Sequence, residues 1–201
     1  GATGGLGGAL AHELSAAGAE LLLAARDMQK LGRLRDSLNT RAVIAQADLN
    51  SGDDIAALAR TARDFEVNVL INNAGVGCFG LLEQQPWQDI ERTLSTNLLT
   101  PIRLTQAMLP WLKAQPQAAI VNIGSAFGSI PFAGFAAYSA AKAGLRGFSQ
   151  ALRRELADTR VDVIHLAPRA IDTPLNSPAV NALNRALGNR SILADPRRPE
   201  M

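Results

Sequence analysis

The chain has 201 residues, 47% hydrophobic and 19% charged, enough apolar material for one packed domain and too apolar for a disordered segment. Twenty Lys and Arg against 18 Asp and Glu leave a formal net charge of +2, which argues against a dedicated nucleic-acid or membrane-surface protein. A lone cysteine, Cys78, excludes an internal disulfide and a thiolate zinc cluster, and two histidines make a His-rich metal site a poor expectation. No secretory signal and no apolar run of the ~18 residues needed for a membrane span are visible, so the expected compartment is a reducing cytoplasm.

In chain order, residues 5–17 read as a helix with Leu6, Leu10 and Leu14 on one face and Gly18 as its stop. A short buried run follows at 19–25, then a polar, basic helix at about 28–39 and a strand at 42–46. Residues 53–64 read as a helix whose Asp53 and Asp54 suit its N-terminal dipole. Residues 67–71 are a buried strand ending in Asn72-Asn73-Ala74-Gly75. One long helix is expected over about 87–112, tolerating Pro101, then a strand at 118–123 and an Ala-rich helix at 136–157. A strand at 161–166 closes at Pro168, and Ser177-Pro178 opens a short helix to about Leu187. Strands alternating with helices predict an α/β fold, a doubly wound parallel sheet with helices on both faces in a single domain. Such sheets bind ligands at the carboxyl ends of their strands.

The residues of chemical interest fall at those ends. Gly1-Ala2-Thr3-Gly4-Gly5-Leu6-Gly7 precedes the first helix, and glycines there let a backbone approach a diphosphate at the positive end of a helix. No Lys-Ser/Thr pair follows, so the loop is not a triphosphate-binding P-loop. No carboxylate stands at the tip of the run 19–25, where a ribose 2′-OH would be held; Arg26 stands next to it. Two readings are open for Arg26: it meets a 2′-phosphate, favouring NADP(H) over a possible NAD(H), or it is a solvated side chain beside Asp27. Tyr138, the only tyrosine, lies four residues before Lys142 on a helix, so both share a face. An ammonium beside a phenol lowers its pKa from ~10 and fits it for proton exchange with a hydroxyl or carbonyl. Alone, that spacing equally describes a surface contact.

Ser125 lies thirteen residues before Tyr138, Asn97 lies in the long helix, and the glycine loop and Asn-Asn-Ala-Gly stand in order before them. The set resembles the short-chain dehydrogenase/reductase family over essentially the whole chain. The resemblance implies an oxidoreductase of a carbonyl/alcohol pair, a ketone or 3-oxoacyl-type reductase, with Tyr138 as acid–base. Lys142 would lower the Tyr138 pKa and hold the nicotinamide ribose, Ser125 would bond the substrate oxygen, and Asn97 would hold a water reaching Lys142. It further implies that Gly1, Gly5, Leu6 and Gly7 contact the diphosphate and Thr3 the adenosine end. Asp48 and Leu49 would meet the adenine, and Asn73, Ala74 and Gly75 the ribose. Ile171 and Thr173, after Pro168, would grip the carboxamide. By the same resemblance a strand should precede Gly1 and another should follow Met201, so 1–201 reads as one domain clipped at both ends. Arg169 stands where the family usually has Gly; it either reaches an anionic group or faces solvent.

Phe79, Phe127, Phe132, Phe135 and Leu175 fall in loops expected around Ser125 and Tyr138. They suggest a small-molecule substrate with an apolar body, or they simply pack under the loops. Cys78 has no His neighbour in sequence and reads as inert. Residues 174–195 resemble the family's mobile lid, and the family's habit of pairing its long helices implies a homodimer or homotetramer. A catalytically inactive dinucleotide-binding regulatory or scaffold protein is the alternative; it leaves Ser125, Tyr138 and Lys142 standing together unexplained.

Overall fold

The small residues of the first helix, not its leucines, make its closest contacts. In the computed structural model, which describes residues 1–169, 171–172, 178, 180–182 and 192–193, α1 spans Gly5–Ala16 and buries Gly7, Ala11 and Ser15, while Leu6, Leu10 and Leu14 are half-buried. Residues without bulky side chains let the helix backbone lie close to what it covers. The helix ends as expected where Gly18 takes φ +89°.

Residues 1–48, with the described residues beyond 169, form one compact unit. Its strands β1 (Leu21–Ala25) and β2 (Ala42–Gln46) pair in parallel from Leu21 opposite Ala42 to Ala25 opposite Gln46. Between them runs α2, Met28–Asp36, capped by the Asp27 carboxylate accepting from the Lys30 N–H at 3.0 Å. Ala11, Leu23, Ala25 and Leu31 are the core of this unit. The helix stops three residues short of the expected 39 because the Ser37 hydroxyl bonds Leu34 O, while buried Ser15 Oγ accepts from the Asn39 and Thr40 N–H groups. Ile171–Asp172 (β6) pairs in parallel with Ile192–Leu193 (β7).

Residues 49–169 form the second unit. Ser51 caps α3, Gly52–Asp64, with Asp53 and Asp54 in its first turn as the sequence predicts. Strands β3 (Val69–Asn72), β4 (Ala118–Ile123) and β5 (Val161–Leu166) make a parallel sheet in that order, with Asn72, Asn122 and His165 in one row. Leu70, Ile120, Val161 and Val163 on the sheet are buried with Leu104, Met108 and Leu112 of α5 and Leu145 and Leu152 of α6. α5 spans Thr100–Ala114 and α6 Ala136–Glu155.

The single helix expected over 87–112 is interrupted. α4 covers Trp87–Leu94, a π-helical turn covers Ser95–Leu99, and α5 follows. Pro101 has no N–H to give the Asn97 carbonyl four residues earlier, and a wider turn is the usual accommodation. Together these chain segments show an α/β Rossmann-type fold of parallel sheets and helices. No described helix is long and apolar enough to cross a membrane.

Candidate active site

In the first unit, the glycine loop leads straight into α1. Gly4 is the N-cap and makes no side-chain cap bond, Gly4 N–H donates to Gly1 O at 3.3 Å, and Ala2 N–H donates to Ala24 O of β1. The first amides of α1 thus stand at a strand end with no side chain capping them, the donor set an anionic diphosphate requires. Thr3 is half-buried and Gly7 buried. Arg26, exposed, follows β1; Asp27 beside it is committed to capping α2. Asp48, exposed, follows β2.

The catalytic candidates assemble in the second unit. β4 delivers Ile123 and Gly124, and the chain then turns so that Ser125, extended at φ −163°, caps a short 3-10 turn through its Oγ, 3.2 Å from the Phe127 N–H. Tyr138 sits in the first turn of α6, near enough to the Ser125 side chain for that hydroxyl to favour the ionised phenol. Lys142, one turn on, is 5% exposed and donates to Ile123 O at 2.8 Å. Its Nζ is 5.8 Å from the Tyr138 ring centroid. Asn97, fully buried in the π turn, grips Val76 twice: Oδ1 accepts from Val76 N–H at 2.9 Å and Nδ2 donates to Val76 O at 2.8 Å. A Cβ on Gly75 would crowd Asn97 Oδ1 at 3.0 Å and touch Lys142 Nζ at 3.9 Å, so the loop after β3 runs close against both side chains.

The electrostatics differ from the sequence expectation. Burial pushes the Tyr138 phenol above its ordinary pKa, and the Ser125 hydroxyl opposes that only in part. Lys142 does not supply the expected downward pull: its ammonium is engaged with a carbonyl, and burial lowers Lys142 itself to about 8. A lysine lowered from 10.5 to about 8 loses its proton in the folded chain before the unfolded one does. Its burial therefore opposes folding fully below pH 8, and the opposition fades as pH rises from 8 to 10.5. Urea unfolding of wild type and Lys142→Met is expected to show the difference moving in favour of wild type across that range. A difference that stays flat with pH would mean that Lys142 titrates like an exposed lysine.

The structure brings Asn97, Ser125, Tyr138, Lys142 and Gly75 together. Asn73 and Ala74 lead from β3 to Gly75, and Leu49 accepts at its carbonyl from the Thr100 hydroxyl at 2.8 Å. Pro168 O accepts from the Ala126 N–H at 3.1 Å, which puts this turn beside Ser125. Arg169 is exposed. Ile171 opens β6; its side chain, Thr173, Leu175 and most of 174–195 lie outside the described residues. Phe79, Phe127, Phe132 and Phe135 form a chain of rings beside Tyr138. Cys78 Sγ donates to Gln85 Oε1 and burial raises its pKa, as suits an inert thiol.

Sequence reasoning missed the polar chain beneath the site. Asn72 Nδ2 donates to Thr105 Oγ1 at 3.2 Å and to Asn122 Oδ1 at 2.8 Å; Asn122 Nδ2 donates to Ser149 Oγ, which donates to Leu145 O. It joins α5, β3, β4 and α6 directly under the strand ends that carry Asn73 and Ser125. An asparagine inside the apolar strand 118–123 was the available signal, because a buried amide needs partners. His165, half-buried, packs against Gly124, its Nε2 without a hydrogen-bond partner among the described residues.

The family model for short chain dehydrogenases matches residues 1–184. The 3-oxoacyl-(acyl-carrier-protein) reductase FabG of Vibrio cholerae serotype O1 is 32% identical over 206 residues, covering 98% of this chain and 83% of that protein. A short-chain dehydrogenase from Sphingobium yanoikuyae, solved in complex with NADPH, aligns with a TM-score of 0.81 and 32% identity over 96% of this chain and 84% of its own. The bulky-bulky ketone specific alcohol dehydrogenase from Comamonas testosteroni aligns with a TM-score of 0.79 and 30% identity over 96% of this chain and 83% of its own.

Proposed function

The chain belongs to the short-chain dehydrogenases, oxidoreductases of alcohols and carbonyl compounds, and from that premise we propose that it is an NADP(H)-dependent ketone reductase in which Tyr138 supplies the proton. The observation that carries this reading is the meeting of Ser125, Tyr138 and Lys142 at the end of β4, with Lys142 Nζ 5.8 Å from the Tyr138 ring centroid and bonded to Ile123 O. When bound, NADPH supplies a hydride to the carbonyl carbon. Ser125 and Tyr138 hold the carbonyl oxygen by hydrogen bonds, and the Tyr138 proton moves to that oxygen as negative charge develops on it. The products are the alcohol and the oxidised cofactor.

At neutral pH the Tyr138 phenol carries its proton and so enters the reduction as the acid, although its raised pKa makes it a weaker acid than a free phenol. Lys142 stands one turn along the helix to hold the cofactor ribose and to return a proton to the phenolate. Asn97 fixes the Gly75–Val76 backbone that the ribose would meet. The Asn97 side chain is itself spent on Val76.

The uncapped amides of α1 suit the cofactor diphosphate, and Arg26 suits a 2′-phosphate because Asp27, the only neighbouring carboxylate in the turn, is engaged as a helix cap. Arg26→Ala is expected to raise KM for NADPH about tenfold, the effect of losing about 1.4 kcal/mol, with a much smaller change for NADH. Equal changes for both cofactors would remove the 2′-phosphate role. The exposed Trp87 and Leu99 on the α4–α5 segment support a homodimer or homotetramer formed through that face; a monomeric mass at micromolar concentration would refute it. The function itself is tested by NADPH oxidation over a panel of ketones, with Tyr138→Phe as the control.

A further inference from the structure

The loop after β3 and the segment before α6 are locked together beside Tyr138. Gly80 N–H donates to Gly134 O at 2.9 Å. Gly134 takes φ +82°, and a Cβ on it would come 2.7 Å from Cε2 of Phe79, so the Phe79 ring lies directly on the Gly134 backbone. Phe135, only 6% exposed, is the keystone: its ring centroid is 4.9 Å from Phe79 and 4.8 Å from Phe127. Phe127 in turn stacks on Phe132 at 5.9 Å with 12° between planes. Phe127 and Phe135 both stand edge-on to the Tyr138 ring, at 6.4 and 6.1 Å. Phe79 is 38% exposed and Phe127 and Phe132 are half-buried, so ring surface remains accessible beside the phenol.

The rings of this wall carry no charge. Lys142 on the same helix is spent on Ile123 O, and Arg169, on the turn whose Pro168 O bonds Ala126 N–H, is exposed. A charged or strongly polar group next to the reacting carbonyl would lose its water against carbon and gain no partner. A flat ring would lie against the accessible faces of Phe127 and Phe79, which buried Phe135 backs, in the offset or edge-to-face geometry that such rings already adopt among themselves.

We propose that the substrate is a neutral ketone with an aromatic ring attached to or next to its carbonyl, the ring seated on Phe127 and Phe79, which Phe135 backs, and the oxygen on Tyr138 and Ser125. The proposal rests on the reductase reading above and narrows it to aromatic ketones over acyl thioesters.

The test measures NADPH oxidation by the purified protein with acetophenone, acetone and an acetoacetyl thioester, together with direct binding of acetophenone by equilibrium dialysis. Wild type is expected to prefer acetophenone over acetone at least a hundredfold in kcat/KM and to prefer it over the thioester. Phe127→Ala is expected to cut the acetophenone-to-acetone ratio about tenfold, and Phe127→Leu, which keeps the bulk and loses the ring, to cut it less. A ratio near one, a ratio indifferent to both variants, or a preference for the thioester would overturn the proposal. Should no ketone be reduced while acetophenone still binds in a Phe127-dependent way, the wall stands and the reductase reading falls. Turnover without Phe127 dependence has the opposite meaning.

Discussion

Replacing Tyr138 by Phe is expected to lower kcat for ketone reduction by 10²–10⁴-fold, the usual range for removing a positioned acid, while the protein stays folded. Phenylalanine keeps the ring that packs at 6.1 Å from Phe135 and 6.4 Å from Phe127. Only the hydroxyl is lost, and with it the polar interaction with the Ser125 side chain. Burial favours the protonated form of the phenol, while Lys142, at about 8, is held on Ile123 O. Steady-state kinetics with urea unfolding on the same samples checks both halves. A variant that retains a tenth of wild-type kcat would show that the proton comes from elsewhere, and the role given to Tyr138 would be wrong.

Gly128→Ala is expected to destabilise the protein by about 3 kcal/mol, at the upper end of what overpacking costs. For a chain of this length that lowers Tm by roughly 6–12 °C. Gly128 closes the short turn after Ser125, and a Cβ there would lie 2.8 Å from both the carbonyl carbon and the oxygen of Lys142, and 3.2 Å from Ala143 N. Those are helix backbone atoms, which cannot swing aside as a side chain can. Either α6 moves bodily or the turn does, and each carries a catalytic candidate: Lys142 on one side, Ser125 on the other. A thermal melt of the variant decides it; a loss under about 1 kcal/mol would mean that turn and helix are not in firm contact.

Much of the local architecture was legible in the residues. Alternating apolar runs placed the strands, Gly18 ended α1 where a left-handed residue was required, and Asp53 and Asp54 marked the start of α3. The four-residue spacing of Tyr138 and Lys142 was readable because α6 is one continuous helix. The break at Ser95–Leu99 was less so: Pro101 signalled a missing donor, but tolerance of it within a helix depends on what packs around the turn.

Composition, periodicity and caps pointed to the fold class, because each depends on neighbours a few residues apart, and the order of the glycine, asparagine, serine and tyrosine–lysine motifs along the chain carried the family resemblance. Packing alone decided the rest. Asn97 reaching Val76 across 21 residues, Asn72 reaching Asn122 across 50, and the Gly80–Gly134 bond exist only once helices and strands have met. The sign of the Tyr138 shift belongs with these, since burial and the diversion of Lys142 to a carbonyl outweigh a spacing that by itself pointed the other way.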